Sequence, residues 1–131
     1  MKIARLAWVL LLVAASWLAS SLAAATPSLN VYFQSTLKDA AYQKKTFDRV
    51  AKTWKAPGKS GQPKVGAKTV VQAVIAKDGK LVSTTVSTSS GSKAWDDAAK
   101  KAVESAAPFD PLPSGFSYPT LEAHFHVALN P

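Results

Sequence analysis

Between Asp78 and Pro113 the chain reads DGKLVSTTVSTSSGSKAWDDAAKKAVESAAPFDPLP, a turn, a strand, a Ser-Gly break, an amphipathic helix and a proline-rich stop. That order leaves few folds open. Asp78-Gly79 lies between two β-rich runs, Thr69–Ala76 and Leu81–Thr88, and predicts a tight hairpin of type I′, in which both central residues take positive φ. After the hairpin, Trp95, Ala98, Ala99, Ala102, Val103 and Ala106 repeat at the spacing of one helix face, so Lys93–Ala106 is expected to be helical. Pro108 ends it, because proline lacks the N–H a helix interior needs.

The flanks complete the pattern. A first helix is expected from Leu37 to Lys55, on the apolar positions Leu37, Ala40, Ala41, Phe47, Val50, Ala51 and Trp54, with the large aromatics Phe47 and Trp54 in the core. Ser35 or Thr36 is placed to cap it, with Asp39 in the first turn. Pro57, Gly58, Gly61, Pro63 and Gly66 make Ala56–Lys68 a loop. In the first hairpin strand Val71, Ala73 and Ile75 share a face; in its partner Leu81 and Val86 fall on opposite faces unless a bulge intervenes. The last strand, Leu121–Leu129, alternates cleanly, with Leu121, Ala123, Phe125, Val127 and Leu129 inward and Glu122, His124, His126 and Ala128 outward. The expected fold is α+β, in the order α-β-β-α-β: a three-stranded antiparallel sheet with two helices packed on one face.

Residues 1–25 read as an export leader. Lys2 and Arg5 precede an apolar run that begins at Leu6, and small residues close it at Ala23 and Ala25, the pattern of a secretory signal peptide. An uncleaved anchor is the alternative, since about 20 apolar or small residues can span a bilayer. Either reading places the domain, residues 37–131, outside the cytoplasm in the periplasm, behind a short spacer at 26–36. The chain has no cysteine, so its stability rests on packing.

The formal charge is +8, and it is uneven: Thr36–Lys68 holds eight lysines and one arginine against two aspartates. Export removes nucleic acid as a partner. The basic first helix and loop would then meet an anionic membrane or cell-wall surface, or remain a solvated face.

Catalytic equipment is thin. His124 and His126 lie two apart on one strand face, where both reach one metal ion, but two ligands do not make a site. Asp96 and Asp97 are neighbours at a helix start and do not face each other. The serines at 87, 89, 90 and 92 lack a nucleophile-elbow context and suit turn or cap duty. No enzyme, cofactor or metal is expected. A sheet edge is the better candidate, because an extended peptide can add to its unpaired N–H and C=O groups. The expected edge is the last strand, at His124, Phe125, His126, Val127, Ala128 and Leu129; edges also allow a homodimer.

The ordered set Asp78-Gly79, Ser90-Gly91, Trp95-Asp96 with its alanine-rich helix, and Pro108-Phe109 through Pro113 resembles the C-terminal domain family of TonB and TolA. Upstream, Trp54 to Pro57 is similar to the W-x-x-P that closes the family's first helix, more in the TolA manner. The resemblance runs from about Tyr42 to Leu129. It implies a periplasmic protein-binding domain that couples an inner-membrane energy source to outer-membrane receptors or Tol-system partners, which add segments to its sheet edge. Family transducers carry a long stalk, whereas here Thr26–Leu37 would extend only roughly 40 Å.

Overall fold

The computed structural model describes residues 25–131. The leader reading falls on residues outside these, apart from Ala25. Four strands and two helices follow in the order β1 (Thr26–Phe33), α1 (Ala40–Thr53), β2 (Lys68–Ala76), β3 (Leu81–Thr88), α2 (Lys93–Ala106) and β4 (Thr120–Asn130). The sheet is therefore four-stranded, ordered β1-β4-β2-β3, with every neighbouring pair antiparallel. This corrects the expected three strands and their order. The stretch expected as a spacer is β1, whose sequence TPSLNVYF has the strand period: Leu29, Val31 and Phe33 turn toward the core, while Ser28, Asn30 and Tyr32 alternate with them. Its polar residues occupy only the alternate positions.

Each helix links two strands that run the same way with one antiparallel strand between them. Both helices thus fall on one side of the sheet. The core lies beneath them, on Val71, Ala73 and Ile75 of β2 and Leu121, Ala123, Phe125, Val127 and Leu129 of β4, with Trp95, Ala99, Ala102 and Val103 of α2 above. The alternation expected for the last strand is present along its whole length.

The hairpin departs from type I′. Only Gly79 has positive φ, at 93°, and Asp78 does not. The Gly79 N–H donates to Ala76 O at 2.9 Å, and the Ala76 N–H to Lys80 O at 2.8 Å. A longer loop with glycine in the left-handed position is the outcome. β3 carries two irregularities. Val71 and Ile75 pair with Val86 and Leu81, and the register shifts beside each, leaving Val82 and Ser87 as the extra residues. Those bulges bring Leu81, Thr84 and Val86 onto the face of Ile75, Ala73 and Val71.

On α1 the phase differs from expectation. Its buried residues are Tyr42, Thr46 and Val50, while Phe47 stays 37% exposed. Thr46 is buried without an unmet hydroxyl, because its Oγ1 donates to Tyr42 O at 2.9 Å. Asp39 rather than Ser35 or Thr36 is the N-cap, its Oδ1 accepting from the Tyr42 N–H at 2.9 Å.

Candidate functional site

A sheet of this order has two free margins, the outer side of β3 and the outer side of β1. β3, LVSTTVST, pairs only with β2. It contains no charged residue and no proline, the usual devices that blunt an edge. Bulges at Val82 and Ser87 protect its two ends, but Ser83–Val86 keeps regular pairing, and Val82 is 60% exposed. β1 pairs only with β4, in unbroken register from Thr26 opposite Asn130 to Phe33 opposite Ala123. Pro27 lies near its start. Beyond β1, the Gln34 N–H donates to Glu122 O at 3.1 Å and the Gln34 Oε1 accepts from the Glu122 N–H at 3.3 Å.

The expected edge at His124–Leu129 is not an edge. β4 is hydrogen-bonded to β1 on one side and β2 on the other, so these residues have no free main-chain margin. Phe125, Val127 and Leu129 are core. His124, His126 and Ala128 lie on the sheet face away from the helices, half-buried. There the Tyr32 ring meets His126 edge-on at 4.6 Å, and His124 Nε2 lies 3.0 Å from Glu122 Oε1, which also accepts from the Gln72 amide. Partial burial, with Lys68 and His124 nearby, lowers the pKa of His126. Among the described residues no three His, Cys, Asp or Glu side chains gather where they could hold a metal ion.

The motif residues serve the scaffold. Asp96, at the start of α2, is buried and accepts from Thr69 Oγ1 at 2.5 Å, Ser89 Oγ at 2.5 Å, and the Ser90 N–H and Oγ, both at 2.9 Å. Burial raises its pKa, but those hydrogen bonds from Ser89, Thr69 and Ser90 outweigh it and hold the carboxyl below the usual range. Gly91 turns the chain with φ 89°, and Ser92 caps α2, accepting from the Trp95 N–H at 3.2 Å. Ser89, Ser90 and Ser92 therefore have turn and cap duty, whereas Ser87 lies in a bulge of β3 and donates to Val70 O at 3.3 Å. Trp95 is fully buried, donates to Val127 O at 3.1 Å, and meets the Trp54 ring edge-on at 5.0 Å, just before Pro57.

The segment from Pro108 to Pro113 clamps the hairpin. The Phe109 N–H donates to Gly79 O at 2.9 Å, the Leu112 N–H to Lys77 O at 3.0 Å, and Phe109 stacks on Phe125 at 6.4 Å. The sequence-derived motif thus holds β2 and β3 in place and leaves the outer side of β3 open.

The family model described as TonB C terminal matches residues 39–125, two thirds of the chain. The chain belongs to the TonB C-terminal family. TonB C-terminal domains act in the periplasm and bind envelope proteins such as outer-membrane receptors; they are binding domains and not enzymes. No curated protein and no solved structure matches the chain. Among the described residues, no helix is long and apolar enough to cross a membrane. The matched region begins at the cap of α1, so β1 lies outside it. β1 is the element that sequence reasoning missed, although the alternation Leu29, Val31, Phe33 was its signal.

Proposed function

We propose that this TonB C-terminal domain is a periplasmic module, exported by its leader, that recognises envelope partners by strand addition at the outer side of β3. The carrying observation is that β3 is an eight-residue margin strand with no charge and no proline. An extended partner segment would gain main-chain hydrogen bonds along Ser83–Val86, with Val82 and Thr85 exposed beside it. Val82→Lys with Thr85→Lys tests this: the domain should stay folded and lose its envelope partners in pull-downs. Retained partners would sink the β3 reading.

A second reading rests on the boundary of the family match. β4 would be a free edge in a domain that started at Asp39, and β1 fills it. A partner strand could displace β1 and pair with His124–Leu129. The chain has no cysteine, so a Ser28→Cys and Ala128→Cys pair, which face each other across the two strands, would lock β1 in place. Locking should abolish binding if partners enter at β4 and leave it unchanged if they enter at β3. The same margins would serve a homodimer.

Retention of the leader as an anchor would make the chain a minimal energy transducer of the TonB or TolA kind. With β1 starting at Thr26, the spacer belongs to the sheet and leaves almost no reach, which favours a binding module. A mature amino terminus near Thr26, read by mass spectrometry, would exclude the transducer. A metal ion at His124 and His126 lacks a third ligand, since no three His, Cys, Asp or Glu side chains gather to hold one among the described residues.

A further inference from the structure

We infer that the groove between the C-terminal half of α2 and the end of α1 is a second docking surface, for an acidic peptide segment of an envelope partner. It measures about 500 Å³ and is lined by Lys52, Thr53, Lys55 and Pro57 on one side and Ala98, Lys101, Ala102 and Ser105 on the other. The floor is apolar, formed by Pro57, Ala98 and Ala102. Thr53 Oγ1 donates to Ala102 O at 2.6 Å and ties the two helices together beneath it.

The rim charge is one-sided. Lys52, Lys55 and Lys101 line the groove and no carboxylate does among the described residues. None of the three takes part in an ion pair, although Lys44, Lys45, Arg49, Lys80, Lys93 and Lys100 each have an acidic partner. Residues 1–24 contain no Asp or Glu that could supply one. The other surface hollows differ: those lined by Asp48 and Asp110, by Asp39, or by Glu122 each carry an acid. Only here do an apolar floor and uncompensated lysines coincide among the described hollows.

Three ammonium groups around an apolar trough complement a segment that sets one small apolar side chain on Ala98 and Ala102 and places carboxylates on either side. A flat anionic bilayer fits less well, because the apolar surface is sunk between the helices and not raised toward lipid. The site lies on the helical side of the molecule and no strand residue lines it, so it can be filled while a strand is added at β3.

Titration of the 15N-labelled domain with a short synthetic peptide rich in glutamate and alanine tests the assignment by NMR. Helix-forming residues keep this probe from mimicking an added strand. Amide shifts should concentrate at Lys55, Ala98, Lys101 and Ser105, fall away with salt, and vanish with the glutamine version of the peptide. Changing Lys52, Lys55 and Lys101 together to Gln should weaken binding about tenfold. These lysines are exposed, so the fold should be unaffected, and Ala98→Glu gives an independent block. Shifts that map to β3, equal affinity for the triple glutamine variant, or displacement of the peptide from the domain by vesicles of phosphatidylglycerol and phosphatidylcholine in equal parts would each overturn it.

Discussion

A buried carboxylate is costly unless hydrogen bonds replace its water, and Asp96 has four such bonds from Thr69, Ser89 and Ser90. Asp96→Asn should therefore destabilise the domain by about 1.5–3 kcal/mol in urea, the range for hydrogen bonds to a charged group. Its lowered pKa sets the sign of the pH effect. Stability from Asp96 is present above the unfolded carboxyl value near 4 and is lost as pH falls through the folded value. The asparagine variant should lack that acid-dependent part. His126 contributes in the same direction at milder pH: its pKa is lowered by burial first, so its share is present above about 6.5 and declines on acidification. His126→Gln should flatten the stability curve below about pH 6.5. Gly79 is limited by space as well as φ. An added Cβ would stand 2.0 Å from Phe109 O, so Gly79→Ala should cost about 3 kcal/mol or more, measured by thermal melting.

At the scale of elements, strong periodicity was legible and weak periodicity was not. β4 and α2 form where their patterns place them, because an unbroken alternation and a repeated helix face each bury one side. The hairpin was legible as a hairpin, but not its turn type: Asp-Gly suits type I′, whereas the clamp of Phe109 and Leu112 holds a longer loop with Gly79 alone left-handed. α1 was found but misphased, because Tyr42 and Thr46 carry hydroxyls and yet are buried while Phe47 is not. β1 was missed because its core-facing residues are separated by Ser, Asn and Tyr. The same miss misplaced the site, since an uncovered β4 would have been the margin. Deletion of residues 25–33 should expose β4 and lower stability. Removing the partly buried Leu29, Val31 and Phe33 alone takes away several kcal/mol of burial, and edge-to-edge association should follow in sedimentation.

For the whole molecule, the architecture separates two sides. The sheet margins offer main-chain hydrogen bonds with little charge, while the helical side carries lysines without acidic partners. Binding at β3 should accordingly depend weakly on salt, and binding at the helical groove strongly. What was legible at this scale was the class, a TonB C-terminal domain; which margin is open depended on one strand that joins the sheet from outside the family region. Site-specific photocrosslinking in the native envelope, from Thr85 on β3 and from Asn30 on β1, tests the strand-addition account most directly. It predicts adducts with an envelope protein from Thr85 and none from Asn30. Adducts from Asn30 alone, or from neither position, would contradict it.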